Sequence, residues 1–242
     1  MPLPGSAGRP AYQLYRLAWS ALDWIYPPHC GGCGVPGARW CETCALSVPV
    51  IRDPLCPLCG MPKPLDGICW RCQEKRPVWQ AARSWAAFGG PLQKAIHQLK
   101  YGGDVALGEA LARPLIPLLQ HVGWRLDVVV PVPIGLARRE ERGYNQAALL
   151  AKPLALGSGL AYQPKLLLKQ RETRSQVGLS YQDRQQNVAG AFFARDDCAQ
   201  GKRVLVVDDV MTSGATLEAC ALALLKAGAV EVFCLTLARA GA

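Results

Sequence analysis

The stretch that most narrows the folds open to this chain is Val204–Thr216, VLVVDDVMTSGAT. Its four aliphatic residues Val204 to Val207 follow the turn-forming Gly201-Lys202-Arg203 and show no polar alternation. A strand of that kind is buried on both faces, which is the condition of a parallel sheet covered by helices. From Ala215 to Lys226 the pattern becomes Ala- and Leu-rich and stops before Gly228, predicting a helix with a glycine stop. The loop between them then lies at the carboxyl end of a strand and the amino end of a helix, where open α/β sheets bind ligands. Thr212, Ser213 and Thr216 offer hydroxyls, Gly214 and Ala215 leave backbone N–H groups accessible, and the helix dipole adds positive potential, so the loop suits a phosphate. Asp208 and Asp209 would repel that phosphate and suit sugar hydroxyls, directly or through Mg²⁺. Neither a G-x-x-x-x-G-K-[ST] loop nor a G-x-G-x-x-G fingerprint stands here, so a P-loop and a Rossmann dinucleotide site are excluded at this position.

The stretch resembles the phosphoribosyl pyrophosphate (PRPP) binding motif of type I phosphoribosyltransferases. The resemblance implies that Asp208 and Asp209 contact the ribose hydroxyls, and that Met211, Thr212, Ser213, Gly214, Ala215 and Thr216 wrap the 5′-phosphate.

The second strong signal is a block of cysteines. Cys30-Gly-Gly-Cys33, Cys41-Glu-Thr-Cys44, Cys56-Pro-Leu-Cys59 and Cys69-Trp-Arg-Cys72 are four CxxC pairs in close succession. Two such pairs can hold one tetrahedral Zn²⁺, so the eight cysteines predict two structural zinc ions. Four disulfides would need an oxidising compartment, and thioredoxin-like chemistry would need one such motif within a βαβ unit. Sequential ribbons would use Cys30, Cys33, Cys41 and Cys44 for one ion and Cys56, Cys59, Cys69 and Cys72 for the other. A cross-braced arrangement would interleave them; the short internal loop of each half favours the sequential pairing. A module of this size buries little apolar surface, so metal binding supplies most of its folding free energy. The formal charge of +9 counts neutral thiols. Eight thiolates and two Zn²⁺ bring it to about +5, a moderate basicity that suits PRPP and leaves nucleic acid open as a partner.

The remaining chain frames these two features. Leu14, Leu17, Ala18, Ala21, Leu22 and Ile25 share one helical face, predicting an amphipathic helix over 12–26 packed on the body by that face. Arg9, Arg16 and Asp23 interrupt any signal-peptide core, and no apolar run reaches the roughly 18 residues of a membrane span, so the expected location is the cytoplasm without an integral membrane segment. Residues 1–28 thus read as an N-terminal helix, 29–78 as a double zinc ribbon and 79–242 as the catalytic-type domain. In that domain a strand over 84–88, a helix over 91–100, one long helix over 104–122 and a strand over 127–130 are expected, the last running into Pro131-Val132-Pro133. A proline-locked loop after a strand can hold backbone N–H groups still for an anion. Arg138, Arg139 and Arg142 follow, able to grip a pyrophosphate in fork geometry. The polar region from Lys169 to Asn187, with Lys169, Arg171, Arg174, Gln176 and Arg184, reads as a mobile loop that closes over a site and excludes water. Cys198, Cys220 and Cys234 read as small buried hydrophobes, and Trp40, Trp70 and Trp79 as core.

The PVP and RxxxRGYNQ segments, HQLKYGGD at residues 97–104, and the preceding CxxC pairs together resemble the ComF/GntX family, in which a zinc-ribbon module precedes a phosphoribosyltransferase domain. Tyr144 stands where Phe is common and Ser213 where a second Thr often stands. The resemblance implies an α/β fold of the type I phosphoribosyltransferase kind, a mainly parallel sheet flanked by helices. It implies a pyrophosphate loop over 132–142, with Val132, Pro133, Arg138 and Arg142 in the PRPP site and Asp208, Asp209 and Arg142 as catalytic residues. It implies Mg²⁺-dependent transfer of phosphoribosyl from PRPP to an acceptor that no side chain identifies. It also implies a place in DNA uptake, with single-stranded DNA or DNA-uptake proteins as partners, in which the fold would bind PRPP without catalysis.

Overall fold

The computed structural model describes residues 9–63, 67–173 and 181–241. Helix α1 (Pro10–Ile25) leads into two cysteine knuckle pairs, each ending in a one-turn helix, α2 (Glu42–Leu46) and α3 (Trp70–Glu74). Strand β1 (Ala81–Ala87), α4 (Gly90–Tyr101), α5 (Leu107–Ala112), α6 (Leu115–Val122) and β2 (Val128–Pro131) follow. Then come α7 (Leu136–Arg142), α8 (Gln146–Ser158), β3 (Ala161–Tyr162), β4 (Leu167–Lys169), α9 (Tyr181–Val188), β5 (Phe192–Ala194) and α10 (Asp196–Ala199). Strand β6 (Arg203–Met211), α11 (Ala215–Lys226) and β7 (Glu231–Arg239) close the chain.

Five strands form one sheet in the order β1-β7-β6-β2-β3, with every pairing parallel; β4 and β5 form a separate antiparallel pair. The unbroken apolar runs of β2, β6 and β7 follow from burial on both faces. Along β6, Val204 and Val206 pack with Leu217, Cys220, Ala221 and Leu224 of α11, while Leu205 and Val207 pack with Leu150, Ala151 and Leu154 of α8. Because β2 and β6 are neighbours, the segments that leave their carboxyl ends open on the same edge of the sheet. No helix among the described residues is long and apolar enough to cross a membrane.

Three sequence expectations are corrected. Strand β6 does not stop at Val207 but continues through both acids to Met211, because β7 runs alongside it and pairs Met211 with Arg239. The helix expected over 104–122 is two helices, broken at Arg113-Pro114 where proline removes an N–H and crowds the preceding turn; Pro117 is tolerated in the first turn of α6, whose N–H would be unpaired in any case. Helix α1 is turned over: Tyr12, Tyr15, Trp19 and Asp23 face the body, and Leu14 and Leu17 are 67% and 63% exposed. The inward face wins because its polar atoms find partners. The Tyr12 hydroxyl donates to Glu109 Oε1 (3.3 Å), the Lys152 ammonium lies over the Tyr15 ring, and Asp23 pairs with Arg39 of the first knuckle pair.

The segment between the knuckle pairs and the second pair itself are built into the sheet. In the linking segment Val50 bridges Ala86, Ile51 N–H donates to Trp85 C=O and Ala87 N–H to Pro49 C=O, covering the free edge of β1. Cys56, Cys59, Cys69 and Cys72 share one buried cluster with Val128, Val130, Val204 and Val206.

Candidate functional site

The two acids are unequal. Successive residues of a strand point to opposite faces, and Asp209 points toward α4 and α8, where it is 3% exposed, ion-paired with Lys100 and within 3.4 Å of the Gln146 amide, which donates to it. Asp208 is half-buried on the α11 side and accepts the Asp209 backbone N–H (2.9 Å). Burial, then the charge of Asp209, pushes the Asp208 carboxyl well above the ordinary carboxylate value. Burial alone would raise Asp209 as well, but the Lys100 ammonium outweighs it and holds that carboxyl low. Lys100 is the site residue that sequence reasoning missed: it reads only as the end of the helix over 91–100 and part of HQLKYGGD, and a pairing 109 positions away leaves no local signal.

These opposite shifts have a stability consequence. A carboxyl whose folded value is raised contributes stability that is present below its unfolded value, near 3.8, and lost as pH climbs through the folded value. Asp208→Asn escapes that loss and keeps an oxygen that can accept the Asp209 amide. Thermal unfolding is therefore expected to show the variant more stable than the parent at pH 8.5, with the gap shrinking at pH 5.5. A gap that is flat or reversed would contradict the raised acid.

The residues expected to form a phosphate loop cluster where β6 meets α11. Gly214 caps α11 in the left-handed region (φ +83°), a conformation that favours glycine. Ala215 N–H donates to Ser213 Oγ (3.4 Å), Thr212 is exposed, and Ser213 and Thr216 are half-buried. Met211 lies inside the strand rather than in the loop, 3% exposed, with its sulfur 3.2 Å from Arg239 Nη1.

On the neighbouring strand, Val132 N–H donates to Val207 C=O (2.9 Å), so the amide expected to be free for an anion is spent on the sheet, and Pro133 has none to offer. The arginine cluster lies on α7 beyond that loop. Arg142 donates to Gln146 Oε1 (3.0 Å) and to the Tyr101 hydroxyl (3.1 Å), with its guanidinium 4.7 Å from the Tyr101 ring centre. A chain of contacts thus runs Tyr101–Arg142–Gln146–Asp209–Lys100, joining α4, α7, α8 and β6. Arg138 is half-buried beside Lys169; burial, and next the charge of Arg138, lowers the Lys169 ammonium, which donates to Thr173 Oγ1 (2.8 Å). Arg171 is spent on the carbonyls of Asn187 (3.0 Å) and Ala189 (2.8 Å). Arg184 falls in α9, and Arg174 and Gln176 lie outside the described residues.

The cysteines form two tetrads, Cys30/Cys33/Cys41/Cys44 and Cys56/Cys59/Cys69/Cys72, with the sulfurs of each within 4.8 Å of one another, so the sequential pairing holds. A Zn–S bond of about 2.3 Å implies sulfurs about 3.8 Å apart in a tetrahedron. Cys33 and Cys41 sulfurs are 3.7 Å apart and those of Cys59 and Cys69 3.6 Å, so both tetrads fit structural zinc. Burial would push the Cys30 and Cys56 thiols up, but knuckle N–H groups, Cys41 to Cys30 and Cys69 to Cys56 (both 3.4 Å), bring each down to about 6. The second tetrad is wholly buried, whereas Cys33 of the first is exposed. Cys220 and Cys234 are buried as expected, and Trp79 is core at 6% exposed, but Trp70 stands 67% exposed with the Arg71 guanidinium 5.3 Å from its ring centre.

Comparison with known proteins follows the same division. The double zinc ribbon domain family matches residues 21–73 and the phosphoribosyl transferase domain family matches residues 179–242. The chain is 37% identical over 221 residues to the DNA utilization protein YhgH of Salmonella typhimurium, covering 86% of this chain and 96% of that protein. It is 34% identical over the same span to the Escherichia coli K12 protein of that name. The competence protein ComFC of Bacillus subtilis is 28% identical over 212 residues, 84% of this chain and 85% of ComFC. With both halves matched in order and a relative this similar along nearly its whole length, the chain belongs to the ComF/GntX family, a double zinc ribbon followed by a phosphoribosyltransferase domain of type I fold.

Proposed function

We propose that the chain binds PRPP at the carboxyl edge of β2 and β6 and transfers its phosphoribosyl group to an acceptor, in a cytoplasmic role in the use of DNA. The observation that carries this reading is the placement of Asp208 and Asp209 at the end of β6, directly before the hydroxyl-bearing turn that caps α11. Asp208 and Asp209 take the ribose hydroxyls, and entry of the sugar re-partitions the ion pair that Lys100 makes with Asp209. The turn 212–216 holds the 5′-phosphate with its amides, hydroxyls and helix end. Arg142 and the adjoining Arg138 and Lys169 face the leaving group: the C1–oxygen bond to pyrophosphate breaks, its electron pair departs with the pyrophosphate, and the acceptor's lone pair forms the new bond to C1. Mg²⁺ carried by PRPP would neutralise part of the pyrophosphate charge.

Titration calorimetry of PRPP with Mg²⁺ into the zinc-loaded protein tests the binding step, and release of pyrophosphate in the presence of candidate bases and amines tests transfer. Absence of PRPP binding would end this reading. The names of the relatives, together with exposed Trp70 under Arg71, favour a second role in holding single-stranded DNA by stacking and charge. Binding to single strands that weakens with salt and survives loss of both acids supports that role.

A further inference from the structure

We propose that the second zinc ribbon is the buttress of the phosphate loop, and that Arg239 and Trp79 are the positioning residues that carry the state of the second zinc site to that loop. The inference rests on the reading of residues 212–216 as the 5′-phosphate site.

Arg239 ends β7 and stands in register with Met211, the last residue of β6 before the loop. Its guanidinium is 3% exposed. Nη1 donates to Cys59 C=O (2.6 Å) and lies 3.2 Å from Met211 Sδ, and Nη2 is 3.8 Å from Cys59 Sγ. One buried cation therefore touches a zinc ligand, the backbone of its knuckle and the residue that leads into the loop. Four thiolates around Zn²⁺ carry a net charge of −2, and Arg239 is placed to offset part of it.

Trp79 makes the second link. Its indole N–H donates to Leu58 C=O in the same knuckle (3.0 Å), and a Cβ on Gly214 would fall 2.9 Å from its ring. The glycine that turns the chain into α11 thus rests on a ring pinned to the knuckle. A third tie runs from Val78 N–H to the Glu218 carboxylate in the first turn of α11 (3.3 Å). The cleft in this seam, whose lining includes Cys59, Cys72, Trp79, Met211 and Gly214, holds only about 60 Å³, so the two sides lie close against each other. Among the described residues the first tetrad shows no such arrangement: Arg39, between its two CxxC pairs, is ion-paired with Asp104 and Asp23.

Loss of the second zinc would leave four sulfurs with no common partner, move the 56–59 knuckle and strip Arg239 of its carbonyl acceptor, so the seat of Met211 and Gly214 would loosen. Coupling is reciprocal, so a ligand in the phosphate loop must in turn hold the second zinc.

The test follows zinc transfer from the full-length, zinc-loaded protein to a colorimetric chelator, with and without saturating PRPP and Mg²⁺. The parent is expected to release zinc in two phases, the fast one from the exposed first tetrad, identified because Cys33→Ser removes it. PRPP should slow only the slow phase, by roughly ten-fold or more, within the usual range of coupling between sites. Arg239→Gln should abolish that protection and weaken PRPP binding, while Arg239→Lys, which keeps the charge beside Cys59, should restore part of both. The parent measurement needs no variant and so stands even if Arg239→Gln fails to fold. PRPP that binds normally yet leaves the slow phase unchanged, or slows both phases alike, overturns the buttress while leaving the phosphate site intact. PRPP that does not bind the zinc-loaded parent overturns the phosphate-site reading and the buttress with it.

Discussion

Asp208→Asn is expected to cost most of the PRPP affinity while leaving the protein at least as stable as its parent. A hydrogen bond to a charged group contributes about 1.5–3 kcal/mol. If Asp208 holds the ribose hydroxyls as proposed, losing those bonds should weaken binding by roughly a hundred-fold or more. Stability moves the other way because the half-buried Asp208 carboxyl sits beside Asp209 and its value is raised, so the neutral amide relieves a cost of folding. Asp209→Asn should behave differently. Its carboxylate is 3% exposed and paired with Lys100, and removing it strands a half-buried ammonium; breaking a buried pair costs about 3–5 kcal/mol, less here because Lys100 keeps 24% of its side-chain surface. The double variant should lose binding and sit between the two in melting temperature. Calorimetric titration with PRPP and Mg²⁺, beside thermal unfolding, separates the cases. Asp208→Asn with parental affinity would remove that residue from the ribose site, and Asp209→Asn with parental stability would show that the Lys100 pair is a surface contact.

Zinc removal is the second large effect. Structural zinc contributes about 10–16 kcal/mol in isolated finger peptides, as much as the whole stability of an ordinary domain at about 5–15 kcal/mol. The two tetrads should not respond alike. Cys56 is fully buried, and its tetrad shares one core cluster with Val128, Val130, Val204 and Val206, so collapse of that knuckle opens the α11 face of the sheet. Cys56→Ser should lose one zinc per chain and lower the melting temperature by more than about 10 °C, given about 2–4 °C per kcal/mol in a chain of this size. Cys33→Ser should also lose one zinc, but with less than about half that shift, because Cys33 is exposed and Cys41 only half-buried. Metal analysis beside calorimetric melting decides it. Equal shifts would show the first ribbon to be as deeply built into the fold as the second, and full zinc retention in Cys56→Ser would remove that cysteine from the ligand set.

The coupling of ribbon to sheet changes what a double zinc ribbon does in this chain. From its spacing the cysteine block reads as a module apart, held by metal because it buries too little to fold alone. The first tetrad fits that picture at its exposed side. The second instead adds to the sheet: Leu58 C=O accepts both Ala82 N–H (2.8 Å) and the Trp79 indole, and Arg239 reaches back from the end of β7 to Cys59. Gly60 shows how close this approach is. Its φ is +68°, and a Cβ there would fall 2.6 Å from Ala82 C=O, so the knuckle meets the strand backbone to backbone.

What residue order alone determined were the features set by short-range rules. The Val204–Val207 run dictates a doubly buried strand, Ala215 to Lys226 a helix with a glycine stop, and the CxxC repeats two four-cysteine zinc sites, because propensity, periodicity and ligand bite act within a few residues; that the tetrads pair sequentially was decided by the fold. The tertiary structure alone decided which partners the polar atoms found. It lengthened β6 through the acids by laying β7 beside it, and split the acid pair by delivering Lys100 to Asp209. It also turned α1 over so that Tyr12, Tyr15 and Asp23 could meet Glu109, Lys152 and Arg39, and brought Arg239 at the end of β7 onto both Met211 and the second cysteine knuckle. Each of these joins residues far apart in the chain, and each follows from one cost: a buried charge or hydrogen-bonding group without a partner is more unfavourable than an exposed leucine.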